Sequence, residues 1–234
     1  MTLVGFLGLC ALPLQAAINK QPKQILTEIN RQYIALSWGD IWDKLRRKKG
    51  KRGSRGDEAK KLLCMITPGK LQDDDIPGTI KVWSDKPLFL WQGSMEGIEV
   101  GHHRSNELMW SQNLDATTNK ITYQGKALQP GQNYFWRETV PLETLPTKVT
   151  FRIMEQPERD RISTELAELE SKLRAEGASE SKIALERVTY FADQQLWSDA
   201  LREAYSIENP SGKLADFINK VEAKDFCPPE VSSY

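Results

Sequence analysis

The sequence predicts an α+β protein: an antiparallel β-sandwich of about seven strands, followed by a small antiparallel helical tail. Three observations carry that expectation. Short apolar-aromatic runs separated by turn residues recur over 62–156, a Pro-Gly turn feeds an aromatic strand, and the apolar period changes to 3.6 beyond Pro157. The full division expected is a signal peptide over 1–17, a helical segment over 18–43, a basic Gly-rich linker over 44–61, a β-domain over 62–156 and a helical tail over 157–234.

The apolar run from Leu3 to Leu14 has the length of a secretory core segment and is too short to span a bilayer. Leu14-Gln15-Ala16, followed by Ala17, offers small residues for cleavage, although Met1-Thr2 brings no basic residue. The other reading of this stretch is a short apolar helix. Leu9 before Cys10 is too bulky for a lipid-attachment motif. The signal reading places the protein in the periplasm or outside the cell, with no membrane span after cleavage.

Of the chain's 3 cysteines, cleavage would leave Cys64 and Cys227. In an oxidising compartment such a pair suggests a disulfide. Closing so long a loop would contribute about 4–5 kcal/mol on a chain-entropy basis. Two isolated buried thiols are the other reading.

Ile25, Leu26, Ile29 and Tyr33 follow Pro22 at helical spacing, and Trp38 and Trp42 continue it, so one amphipathic helix is expected there. It would pack on the β-domain or lie on a membrane surface. Basic and acidic residues balance at 32 each, so overall charge predicts no polyanionic partner. The linker is locally different: Arg46, Arg47, Lys48, Lys49, Lys51, Arg52 and Arg55 form a cluster able to meet an anionic membrane or polymer surface. Interleaved glycines and the lack of aromatics argue against specific nucleic-acid binding and suit a solvated linker.

Strands are expected at 79–83, 87–91, 95–100, 107–111, 120–123, 133–136 and 148–153. Trp83, Trp91, Trp110 and Trp136 fall among them, as core residues or as an aromatic platform for carbohydrate. Core packing is the expectation for a domain of this size. Leu128, Pro130, Gly131, Tyr134 and Trp136 form the Pro-Gly turn and its strand, with Tyr134 and Trp136 on one face. That spacing resembles the tyrosine corner of immunoglobulin- and fibronectin-like sandwiches, which implies a structural role for Tyr134: its hydroxyl would turn back onto the upstream backbone. Glu138 interrupts the apolar pattern, so this strand is expected to bend or become an edge there.

In the tail, Ile162, Leu166, Leu169 and Leu173 mark one helix stopped by Gly177, and Ser179 caps a second. A third is expected from Trp197 to Ile207, ending at Asn209-Pro210, and Ser211 would cap a fourth. Ala184, Phe191, Ala200 and Ala204 make the middle pair resemble a single tetratricopeptide-type hairpin. A lone hairpin cannot build a solenoid groove and suits a cap packed on the β-domain.

The Gly50–Gly56 stretch, Cys64 and Thr67-Pro68-Gly69, followed by aromatic strands, the Pro-Gly corner and a helical tail, resemble a family of secreted cyanobacterial proteins of unknown function. The likeness covers roughly Gly50 to Cys227, and the tail departs from it around Trp197 and Asn209. It implies an envelope location and carries no catalytic residue.

No nucleophile-elbow, zinc-protease, P-loop or dinucleotide motif occurs. His102-His103 are adjacent on a strand and would point to opposite faces. Asp73, Asp74 and Asp75 lack the ligand spacing of a calcium loop. The expectation is a non-catalytic interaction protein without cofactor or metal. It would bind an envelope or periplasmic protein through the β-domain, or an anionic surface through the basic segment.

Overall fold

The computed structural model describes residues 63–69, 71, 80–140, 146, 148–224 and 226. The expected signal peptide with Cys10, the helix over 18–43, the basic cluster from Arg46 to Arg55, Asp73–Asp75 and Cys227 lie outside the described residues. The described residues fall in the unit Leu36–Tyr234.

Among the described residues, eight strands precede four helices. The strands are β1 (Cys64–Thr67), β2 (Ile80–Val82), β3 (Leu88–Gln92), β4 (Gly97–His102), β5 (Leu108–Asn113), β6 (Lys120–Thr122), β7 (Asn133–Glu138) and β8 (Lys148–Ile153). The helices are α1 (Gln156–Ala175), α2 (Glu180–Asp193), α3 (Trp197–Ala204) and α4 (Gly212–Ala223). A three-stranded sheet runs β1-β3-β6, and a five-stranded sheet runs β2-β8-β7-β4-β5.

Two features correct the expectation of seven antiparallel strands. β1 is an additional strand, antiparallel to β3 with Cys64 opposite Gln92. β2 runs parallel to β8, with Val82 opposite Ile153, so the larger sheet is mixed. Glu138 does not make its strand an edge: β7 lies between β8 and β4, and Glu138 pairs with Ile98.

The alternation of β1 and β3 explains the layering. Phe89, Trp91 and Met65 point into a core shared with Val82, Ile98, Val100, Tyr134, Trp136, Phe151 and Ile153 of the larger sheet. Their neighbours Cys64, Ile66, Leu88 and Leu90 point the other way, into a core built with the helices. The smaller sheet is thus covered on both faces, which is why Leu88-Phe-Leu-Trp91 is continuously apolar rather than alternating.

In the helical layer Ser179 caps α2, its side chain accepting from the Lys182 N–H. α3 stops at Ala204, short of the expected Ile207. Ser211 does not cap α4 with its side chain; its N–H and hydroxyl instead contact the Ser181 hydroxyl at 3.2 Å each, tying the start of α4 to α2. Ala184, Phe191, Ala200 and Ala204 are all buried in the core that the helices share with the smaller sheet.

Candidate interaction site

The most exposed apolar side chains among the described residues sit together on β5. Leu108 is 47% and Met109 37% exposed, and the rest of the strand is exposed apart from a half-buried Trp110. β5 ends the larger sheet and pairs only with β4 among the described residues, so its outer backbone edge faces outward. Its sequence, Leu-Met-Trp-Ser-Gln-Asn, carries no charge. Natural sheets usually protect such an edge with charges, proline or a covering segment, because its row of N–H and C=O groups is a template for another strand. Here β2 carries Lys81 and β6 carries Lys120, while β1 is wholly buried. β5 alone is both uncharged and exposed.

A β-bulge shapes this edge. Val100 pairs with Trp110 and Gly101 with Leu108, leaving Met109 without an opposite residue on β4. Trp110 stays on the inner face, 6.5 Å from the Phe89 ring and 5.3 Å from the Tyr123 ring. On the outer face, the Phe135 ring occupies the space over Gly101, where any Cβ would collide with it. The Lys148 ammonium lies 4.2 Å from the centre of that ring and the Arg137 guanidinium 5.3 Å. Arg137 also pairs with Glu99 at 2.7 Å. The sheet behind the edge is therefore rigidly packed.

The Pro-Gly turn stands at the start of β7. The Tyr134 hydroxyl accepts the Gln129 N–H at 2.8 Å, and burial raises the phenol pKa against that bond. Gly131 adopts a left-handed φ of 73°, and its N–H reaches the Ile153 carbonyl at 2.9 Å. Leu128 and Trp136 are buried in the core between the sheets. The Trp136 indole donates to the Pro68 carbonyl at 2.8 Å, joining the larger sheet to the end of β1. These five residues form a structural corner, with none of them on the exposed edge.

The two histidines part company at the β4–β5 turn. His102 meets the Tyr134 ring edge-on at 5.6 Å and lies 3.4 Å from the Gln132 amide oxygen. His103 is exposed and its Nδ1 lies 3.3 Å from the Thr150 hydroxyl. Among the described residues no group of three or more His, Cys, Asp or Glu side chains is placed to hold a metal ion, and no helix is long and apolar enough to cross a membrane.

One buried acid was not singled out from the sequence. Asp199, 1% exposed on α3, accepts the Trp83 and Ser84 N–H groups at 2.9 Å each. Burial pushes its pKa up to about 6, against those two bonds and the Arg202 charge. Around it, the Arg159 Nε donates to the Trp83 carbonyl at 2.8 Å, the Trp83 indole donates to the Arg159 carbonyl at 3.2 Å, and the Arg202 Nε donates to the Lys86 carbonyl at 3.1 Å. The connection between β2 and β3 is thus held by α1 and α3. This is a clasp between layers and offers no open face for a substrate. Its sequence signal was an acidic residue in the first turn of a helix beginning at a buried Trp197, and that pattern cannot name a partner 115 residues away.

In comparisons with known protein families, curated proteins and solved structures, the chain matches none.

Proposed function

We propose that this chain is a non-catalytic envelope interaction protein, whose immunoglobulin-like sandwich binds a protein partner by adding a strand to β5. The carrying observation is the exposed, uncharged six-residue edge, backed by a packed sheet that holds it in place. Strand addition supplies affinity through main-chain hydrogen bonds, and side chains such as Leu108 and Met109 supply selectivity. The periplasmic or secreted location rests on the apolar run from Leu3 to Leu14 and on the likeness to secreted cyanobacterial proteins.

We infer as part of this reading that Cys64 and Cys227 are bridged. In support, the Gln92 side chain, on the residue opposite Cys64, accepts the Phe226 N–H at 3.0 Å and donates to the Lys224 carbonyl at 2.6 Å. That brings the chain immediately before Cys227 beside β1.

The test is photo-crosslinking in cells with a reactive residue at Gln112, which is exposed on β5. The reading expects one discrete adduct, lost when the same probe sits at exposed Glu168 on α1, and recovery of the protein from the envelope fraction. A probe at Gln112 that captures nothing, or a protein confined to the cytoplasm, overturns it. Peptide mapping under non-reducing conditions checks the bridge.

A further inference from the structure

We propose that Met109 is an oxidation site, and that its conversion to the sulfoxide by a peroxide weakens strand addition at β5. The second half rests on the strand-addition reading above and names its regulation. The first half stands apart from it.

The sulfur-bearing side chains among the described residues are Cys64, Met65, Met95, Met109 and Met154. Cys64 is 8%, Met65 5%, Met95 3% and Met154 5% exposed, against 37% for Met109. The difference follows from where each one sits. Met65 and Met95 fill the core between the two sheets, and Cys64 and Met154 the core shared with the helices. Met109 lies in the bulge of the edge strand, beside exposed Leu108 and with no residue opposite it on β4. A dissolved peroxide therefore meets this thioether in the folded protein. It meets the buried sulfurs only when the fold opens.

In the reaction a lone pair on the Met109 sulfur takes one oxygen from the peroxide. The S–O bond forms as the O–O bond breaks, sulfur is oxidised by two electrons, and the rest of the peroxide leaves as water or an alcohol. The product is a polar sulfoxide that binds water. On β5 the change falls on one of the two exposed apolar side chains that an incoming strand would cover. Losing the burial of about one methylene's worth of apolar surface is about fourfold in affinity.

Two measurements test this. The first is peptide mapping of the folded protein over a time course in hydrogen peroxide. Met109 should gain one oxygen about tenfold faster than Met65, Met95 and Met154. An equal rate at a buried methionine, or no oxygen on Met109, overturns the site. The second is the Gln112 photo-crosslink in cells with and without peroxide, for wild type, Met109→Leu and Met109→Gln. Met109 is exposed, so circular dichroism should show both variants folded. Peroxide should lower the wild-type adduct about fourfold and leave that of Met109→Leu unchanged, because leucine has no sulfur to oxidise. Met109→Gln, polar like the sulfoxide, should be as low without peroxide. A wild-type adduct that resists peroxide, a Met109→Leu adduct that falls with it, or a Met109→Gln adduct at the untreated wild-type level overturns the regulation while strand addition stands. If Gln112 captures nothing in untreated cells, strand addition and its regulation fail together, and the mapping alone decides the site.

Discussion

The two faces of the smaller sheet are sealed in different ways. Toward the larger sheet, Phe89 and Trp91 enter an aromatic core where Phe89 lies 5.0 Å from Trp136 and 6.1 Å from Phe151, centre to centre. Toward the helices, Leu88 and Leu90 enter a mixed aliphatic and aromatic core with Val188, Phe191, Trp197 and Leu201, and polar ties around Asp199, Arg159 and Arg202 lie at its margin. Both seams are held chiefly by shape and area, and the second adds a cluster of directional bonds around a buried carboxyl group at its margin. The first should be insensitive to pH and tolerant of polar changes outside it. The second should respond to the protonation of a single carboxyl group.

The largest effect should come from the aromatic seam. Trp136→Ala removes a fully buried ring and its bond to Pro68, and should cost about 3–5 kcal/mol in denaturant unfolding. In the polar seam, Asp199→Ala strands the Trp83 and Ser84 N–H groups and should cost about 2–4 kcal/mol. Equal losses at pH 5 and pH 8 for Asp199→Ala would erase the contrast between the seams.

The sign of the pH effect follows from the raised pKa of Asp199. The folded state holds this proton up to about pH 6, whereas the unfolded chain releases it near 3.8. Its contribution to stability is full below about pH 4 and is lost as pH rises through about 6, by up to about 3 kcal/mol. Chemical denaturation of wild type and Asp199→Asn across pH 4–8 should show this slope only in the wild type. A smaller effect is expected for Tyr134→Phe, which leaves the Gln129 N–H without its acceptor and should cost about 1–3 kcal/mol with little pH dependence below 8. Ser111→Lys lies outside both seams and should shift stability by no more than about 0.5 kcal/mol.

Much of this architecture could be read before folding. The run at 148–153 coincides with β8, and the other expected strands lie within two residues of the observed ones at their starts and ends. Gly177, Ser179 and the heptad-like leucines located α1 and α2 because caps and periodicity are local signals. β1 escaped because Cys-Met-Ile-Thr is short and follows a Gly-rich stretch with no strand-like alternation. The parallel pairing of β2 escaped because nothing in Ile-Lys-Val states which strand it will adjoin.

The candidate site was legible only as a strand. Leu108–Asn113 reads as one more element with an apolar start, and an edge is a property of the sheet order, which local sequence does not encode. Likewise Asp199 looked like an ordinary acidic residue in a first helical turn until α3 docked over Trp83 and Ser84. By itself the sequence determined the order and type of the elements and the residues that had to be buried, since propensity, turn chemistry and apolar period act over a few neighbouring residues. Only the tertiary structure decided which strand was left at the margin and which carboxyl group was closed off from water, because both depend on partners far apart in the chain.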